Sequence, residues 1–304
     1  MSVLSVVVPA YNEEQMLLKA AAAIAGVLKE NAIEYEIVFV DDGSADGTWA
    51  QIQKAAEADT LIHGVRFSRN FGKEAAIFAG LGAATGDCVA VMDCDLQHPP
   101  QTLIEMYRLW EQGFEVIEAV KKSRGKESLF HRLCAKAFYL LMSDASSVDM
   151  TRASDFKLLD RRAVSVLLEM PEQGAFFRAL SFWIGFRQVS VEFDVQEREA
   201  GVSKWSTRSL IRYALVNIAS YSSKPLLVST WTGVICLLAG LALGIQTLVR
   251  YLTGNAVAGF TTVILLILIM GSLVMINLGI IGYYIARIYE EVKGRPRYII
   301  SQKF

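Results

Sequence analysis

Apolar and polar residues alternate in blocks through the first 120 positions, and the apolar blocks are of two kinds. Short, nearly unbroken runs predict buried strands at Val3–Val8, Glu36–Val40, Ile62–Phe67, Cys88–Met92 and Glu115–Ala119. Longer stretches between them predict helices at Glu14–Lys29, Thr48–Ala58, Lys73–Ala84 and Pro100–Gln112. Pro99-Pro100 opens the last of these, since proline is tolerated in a first turn. This alternation implies an α/β fold with a mostly parallel sheet covered on both faces. Farther along, Ser128–Met142 reads as helical and Val189–Val195 as an edge strand.

The pattern then changes. Leu226–Val249 and Phe260–Ala286 contain no charged residue. At ~1.5 Å rise per residue, each exceeds the roughly 20 residues that cross a bilayer. Two membrane spans are expected here, in preference to a pair of buried core helices. In Ser206–Tyr221, the residues Leu210, Ile211, Ala214, Leu215, Ile218 and Ala219 recur at helical spacing, with Arg208 and Arg212 elsewhere on the turn. That describes an amphipathic helix; the span that follows within a few residues favours the membrane surface over packing on a globular domain. Gln173–Phe186, with Phe176, Phe177, Phe182 and Trp183, is a second interfacial candidate. The expected division is a globular domain over 1–205, an interfacial helix and linker over 206–225, two spans over 226–286 and a basic tail over 287–304. Arg208, Arg212 and Lys224 precede the first span; Arg287, Lys293, Arg295, Arg297 and Lys303 follow the second, while Arg250–Gly259 carries only Arg250. The positive-inside rule then predicts a multi-pass membrane protein with both flanks in the cytoplasm and the short loop outside. Met1-Ser2-Val3-Leu4 lacks a basic leader region, so no signal peptide is expected.

Composition narrows the partners. The net charge of −1 over 304 residues predicts no nucleic-acid partner, and the 53% hydrophobic fraction reflects the two long apolar runs. Cys88, Cys94, Cys134 and Cys236 show no CxxC spacing and read as reduced, structural thiols. His63, His98 and His131 form no spaced cluster; His98 lies near the acids considered next but is not read as a ligand. Gly80-Leu81-Gly82-Ala83-Ala84-Thr85-Gly86 imitates a dinucleotide fingerprint. Its glycines end a helix and precede a strand, the reverse of what phosphate binding at a helix start requires, so a nicotinamide cofactor is not expected.

The chemistry gathers where strands end. Asp93-Cys94-Asp95-Leu96-Gln97 follows the run Cys88–Met92 directly. In an open α/β sheet, ligands bind outside the carboxyl ends of strands. Paired carboxylates there suit Mg²⁺ or Mn²⁺, hard cations that in turn hold phosphate oxygens. The first run ends in Pro9-Ala10-Tyr11-Asn12-Glu13-Glu14, and Tyr35–Val40 ends in Asp41-Asp42-Gly43-Ser44-Ala45-Asp46-Gly47-Thr48. Phe67-Ser68-Arg69-Asn70-Phe71-Gly72-Lys73 hands a strand over to a helix with an early lysine. Acids and small residues delivered to one edge describe a nucleotide site better than unrelated turns.

Taken in order, Ser5–Glu14, Asp41–Thr48, Arg69–Ala76 and Asp93–Pro100 resemble the successive signatures of glycosyltransferase family 2, inverting enzymes with the GT-A fold. The resemblance continues through Asp155–Arg161 and Arg198–Trp205 and is strongest to the polyprenyl-phosphate glycosyltransferases of that family. It implies that Pro9, Tyr11 and Glu13 line a base-and-ribose pocket, and that Asp41 accepts hydrogen bonds from base or ribose. Asp42, Lys73 and Asp93 complete the nucleotide-sugar set, and Asp93, Asp95 and Gln97 hold Mg²⁺ or Mn²⁺. Asp155 occupies the position of the family's catalytic carboxylate, with Asp95 as its partner in the reaction. A phosphate acceptor with a second pKa near 6 needs little deprotonation, so Asp155 would orient the sugar or the acceptor instead.

The implied reaction is inverting transfer of a hexose, with a lean to glucose and UDP, onto a polyprenyl monophosphate, with a lean to undecaprenyl. Arg198, Ser203 and Lys204 are expected to bind that phosphate; plain attraction to anionic headgroups, roughly 1 kcal/mol per basic residue, is the alternative. Lys121–Ser128 is either a solvated connector or a flap over the site, and in the second case Arg124 and Arg132 meet phosphate. A processive polysaccharide synthase is a competing reading, but Gln173 is followed by Gly174-Ala175-Phe176-Phe177 where that group carries Gln-x-x-Arg-Trp. A lipid-sugar transporter or scaffold is a third. Gly240-Leu241-Ala242-Leu243-Gly244 is a small-xxx-small pattern that suits a homo-oligomer.

Overall fold

The computed structural model describes residues 2–122, 154–172, 176–194, 224–253 and 259–304. The chain divides into two compact units, 1–211 together with 295–304, and 212–294. The predicted helices Ser128–Met142 and Ser206–Tyr221 lie outside the described residues.

The first unit is built on an eight-stranded sheet of β1 (Val3–Ala10), β2 (Glu34–Asp41), β3 (Ile62–Phe67), β4 (Cys88–Val91), β5 (Val116–Lys121), β6 (Lys157–Asp160), β7 (Gln188–Phe193) and β8 (Ile300–Lys303). The strand order is β7-β5-β6-β4-β1-β2-β3-β8. β1 pairs parallel with β2 and β4, β2 with β3, and β5 with β7. β6 and β8 run antiparallel to their neighbours. Strands buried on both faces read as continuous apolar runs, and Leu4, Val6, Val7 and Val8 of β1 are all fully enclosed. Leu4, Val6 and Val8 face a core completed by α1 (Leu17–Glu30), α2 (Thr48–Ala58) and α4 (Thr102–Glu111). Against the opposite face pack α3 (Lys73–Ala83), then α5 (Arg161–Glu169) against α3, and α6 (Phe177–Trp183) against α5. Each large side chain so buried contributes about 1.5–3 kcal/mol, which makes this two-sided core the main source of the domain's stability.

The predicted strands and helices of residues 1–120 are present, and the edge strand expected at Val189–Val195 is β7. Two strands depart from the sequence expectation. β6 inserts antiparallel between β4 and β5, with Val91 opposite Lys157 and Glu118 opposite Lys157 on the other side. The segment 287–304, expected as a basic tail, instead divides in two. Its first part continues a helix to Val292, and its last part supplies β8, which pairs with β3. Phe304 seats against Trp49, with ring centroids 5.4 Å apart, and Tyr298 stacks on Phe67 at 5.0 Å.

The second unit contains α7 (Lys224–Leu252) and α8 (Phe260–Val292), which contact each other. Ser229–Thr247 and Leu266–Val292 are long and apolar enough to cross a membrane, and neither stretch is buried inside the protein. Helices that are hydrophobic all round need an apolar surrounding.

Candidate active site

From β1 the chain leaves in two directions across the sheet, through β2 to β3 on one side and through β4 on the other. Such a reversal opens a crevice at the carboxyl ends of the strands. The loops after β1, β2, β3 and β4 meet there, and three of them are tied together by hydrogen bonds. Asn12 donates its backbone N–H to Ser44 Oγ at 2.9 Å and accepts the Ala45 N–H at 3.0 Å. The Glu13 N–H bonds to Thr48 Oγ1 at 2.9 Å. Asp42 accepts the N–H groups of Phe71 and Gly72 at 2.7 and 2.9 Å. Gly43 has φ +67°, and a side chain there would strike the backbone of Arg69, so glycine is required for the loops to approach this closely.

Two of the expected ligand residues have partners within the protein. Asp41 is fully enclosed; its Oδ1 accepts the Ser44 N–H at 2.8 Å and its Oδ2 lies 3.2 Å from Arg66 Nε. Asp42 is 3% exposed and engaged by the loop after β3. Both carboxylates hold loops in place: Asp41, for which the resemblance implied hydrogen bonds from base or ribose, bonds within its own turn and lies beside Arg66, and Asp42, one of the implied nucleotide-sugar set, ties down the loop after β3. Tyr11 is 40% exposed at the mouth of the crevice, Glu13 is half-buried, and Pro9 is buried at the end of β1 opposite Val40.

The charged centre lies one strand over. Lys73, the first residue of α3, places Nζ 2.6 Å from Asp93 Oδ1 and 2.9 Å from Asp155 Oδ2. Arg178 on α6 grips the same carboxylate with two bonds, Nε to Oδ1 at 2.6 Å and Nη2 to Oδ2 at 2.8 Å, so that Oδ2 is shared with Lys73. Burial pushes the Asp155 carboxyl up, but Lys73 and Arg178 outweigh it and hold the group well below the usual carboxylate range. Burial likewise pushes Lys73 down, and the charges of Asp155 and Asp93 reverse this, keeping the ammonium protonated. Asp93 is also held below its ordinary value; burial opposes ionisation and Lys73 overcomes it. Beside them, burial and the neighbouring Asp155 charge raise Glu74 to about 7. His98 is buried and stacked on Phe156 at 4.8 Å, and burial lowers its pKa. Its Nδ1 faces the Asp93 N–H at 3.5 Å, so the neutral ring supports the loop after β4 from behind.

Asp95 and Gln97 follow in the same loop, half-buried, with the Gln97 N–H on Asp95 Oδ1 at 3.1 Å and Leu96 at φ +55°. The donor set is two carboxylates one residue apart, with an amide beside them. Among the described residues no trio of His, Cys, Asp or Glu is grouped for a metal. The donors in this loop are carboxylate and amide oxygens, without the imidazole or thiolate ligands that dominate closed zinc sites. Mg²⁺ or Mn²⁺, which take one or two carboxylates and complete their shell with phosphate oxygens and water, fit these donors.

The structure thus brings Lys73, Asp93 and Asp155 into direct contact, with Asp95 and Gln97 in the loop that carries Asp93. Arg124, Arg132, Arg198, Ser203 and Lys204, expected at the acceptor phosphate, lie outside the described residues. Arg178 and Glu74 were not expected. The available signal for Arg178 was one cation inside the apolar stretch Phe176-Phe177-Arg178-Ala179-Leu180. That stretch, read from sequence as interfacial, buries Phe176, Phe177 and Leu180 in the domain and leaves Trp183 69% exposed.

The family model described as Glycosyl transferase family 2 matches residues 5–168. A Bacillus subtilis (strain 168) protein named as a glycosyltransferase, CsbB, is 39% identical over 301 residues, covering 98% of this chain and 91% of that protein. An SfII prophage-derived bactoprenol glucosyl transferase of Shigella flexneri is 36% identical over 304 residues, covering 98% of this chain and 97% of that protein. In fold, the chain is similar to a crystal structure of glucosyl-3-phosphoglycerate synthase from Mycobacterium tuberculosis in complex with Mn²⁺, UDP and phosphoglyceric acid. The TM-score is 0.51 at 18% identity, over 72% of this chain and 76% of that one.

Proposed function

The chain belongs to glycosyltransferase family 2, and from that premise we propose that it transfers a hexose from a nucleotide sugar to a polyprenyl monophosphate, with inversion at the anomeric carbon. The favoured donor is UDP-glucose and the favoured acceptor undecaprenyl phosphate. The observation that carries the reading is the convergence of Asp93, Lys73, Asp155 and Arg178 at the carboxyl end of β4. The relatives named bactoprenol glucosyl transferase support the acceptor class and the sugar. The two long apolar helices support a bilayer setting, in which a lipid-linked acceptor would be met. In this reading the protein spans the membrane twice, with the residues before Lys224 and after Val292 on the cytoplasmic side.

Each residue then has a physical task. Tyr11 offers an exposed ring for the nucleotide base, and Pro9 and Glu13 border the same pocket. Asp93 and Asp95, with Gln97, would hold Mg²⁺ or Mn²⁺ against the diphosphate. The cation, when bound, stabilises the negative charge that develops on the departing diphosphate. Lys73 keeps a permanent positive charge at the same spot. Asp155 is ill-suited to remove a proton, because a general base works best with a pKa near the operating pH and both its oxygens are engaged by cations. An acceptor phosphate with a second pKa near 6 is mostly dianionic at neutral pH and needs no base. Asp155 therefore serves to fix Lys73 and Arg178 around the reacting groups.

The test is transfer of labelled glucose from UDP-glucose to a short polyprenyl phosphate by the full chain in detergent. Chelation should abolish transfer, Mg²⁺ or Mn²⁺ should restore it, and Asp95→Ala should remain inactive with either cation. Full turnover by Asp95→Ala in chelator would overturn the assignment of these acids.

A further inference from the structure

We infer that Glu74 is a positioning residue for Asp155, acting through the helix that carries Arg178. This rests on the reading above, in which transfer depends on Asp155 and its two cations, Lys73 and Arg178, being held together around the reacting groups. α6 is a seven-residue helix whose N-cap residue, Phe176, supplies no side-chain hydrogen bond. The first N–H groups of any helix lack partners within it and need acceptors from outside. Glu74 Oε2 provides one from a distant part of the chain, accepting the Phe177 N–H at 2.9 Å. The next residue on that helix is Arg178, the bidentate partner of Asp155. Glu74 also follows Lys73, which bonds the same carboxylate at Oδ2. Two adjacent residues at the start of α3 therefore reach Asp155 by separate routes. Lys73 does so by direct contact, and Glu74 by holding the backbone from which Arg178 projects.

The contact with the Phe177 N–H does not depend on Glu74 being charged. Glu74 is half-buried near Asp155, a like charge, yet a carboxyl in either protonation state keeps an oxygen that accepts an N–H. What the site needs from this residue is an acceptor of the right length, not a charge. Glutamine supplies the same acceptor, and alanine supplies none.

The experiment compares Glu74→Ala, Glu74→Gln, Arg178→Lys and the double variant Glu74→Ala/Arg178→Lys, in the detergent assay with UDP-glucose and a short polyprenyl phosphate. Expected are an about tenfold fall in kcat for Glu74→Ala with donor KM little changed, and recovery of most of that loss in Glu74→Gln. The double variant should be scarcely worse than Arg178→Lys alone, because two residues acting in series do not add. A purely structural role would give additive losses and a shared fall in the thermal midpoint. Additive losses, wild-type kcat in Glu74→Ala, or a Glu74→Gln variant as poor as alanine each overturn the inference. Asp155→Asn is run in parallel. If it is inactive while Glu74→Ala is normal, this inference alone fails; if it retains wild-type kcat, the reading of Asp155 falls and the inference falls with it.

Discussion

At the scale of single residues, Asp155 and Glu74 show how neighbours decide what a carboxyl can do. Asp155 is bonded by two cations and stays ionised; Glu74, whose hydrogen bond comes from a backbone N–H, is raised to about 7 because burial and the Asp155 charge outweigh that bond and the more weakly felt Arg178 and Lys73. The signs of their contributions to stability are opposite. Asp155, lowered on folding, contributes stability above its unfolded pKa that is lost as pH falls. Glu74, raised on folding, binds its proton more tightly in the native state between about 4.5 and 7, so stability declines as pH rises through that window. Glu74→Gln should therefore raise the thermal midpoint at pH 8 more than at pH 5; an equal shift at both would place the effect elsewhere. Lys157 is a second case. Fully enclosed, its Nζ lies 3.0 Å from Glu118 Oε1 and 3.9 Å from the Phe182 ring centroid. Removing one partner of a buried pair costs about 3–5 kcal/mol, so Lys157→Met should unfold at markedly lower temperature, and Lys157→Met/Glu118→Gln should recover part of the loss. The acids at the strand ends were legible in sequence because turn and strand composition announced them. Arg178 was not, because its contact with Asp155 depends on how a short helix docks, which no local pattern encodes.

At the scale of elements, the strands found from sequence are those buried on both faces by apolar side chains. β6 and β8 escaped for different reasons. β6, Lys157–Asp160, opens on a lysine and ends on the aspartate that caps α5 through the Arg162 N–H, so its composition argues against a central strand. Its place between β4 and β5 comes from tertiary pairing and from the buried partner that Lys157 finds. β8, Ile300–Lys303, is exposed throughout and lies beyond both apolar helices, where a solvated basic stretch was the simpler reading. What anchors it is Phe304, over Trp49 and close to Gly64. A Cβ at Gly64 would come within 2.6 Å of the Phe304 ring and 2.9 Å of Ile52 Cγ2. Gly64→Ala should thus expel Phe304 and lower stability by about 1–3 kcal/mol, within the range for overpacking. Phe304→Ala should produce a similar loss, and the two changes combined should not add. Additive losses in thermal unfolding would show that Phe304 does not depend on the space at Gly64.

For the whole molecule, the division into a globular unit and a pair of apolar helices was plain from the distribution of charge, because runs free of Asp, Glu, Lys and Arg are hard to conceal. The proposed topology places Thr253 outside. A Thr253→Cys variant should react with an impermeant maleimide in intact cells; labelling only after permeabilisation would reverse the orientation. The order in which the chain is made leaves one edge of the sheet open for a time. β8 completes the sheet at β3, yet its residues leave the ribosome more than two hundred positions after β3 and after both apolar helices. At roughly 5–20 residues per second, the edge of β3 waits on the order of ten seconds or more for its neighbour. During that interval its unpaired N–H and C=O groups are a template for any extended strand nearby. Completion of the sheet is thereby coupled to synthesis of the helices, so that a chain interrupted before β8 carries an open edge at β3.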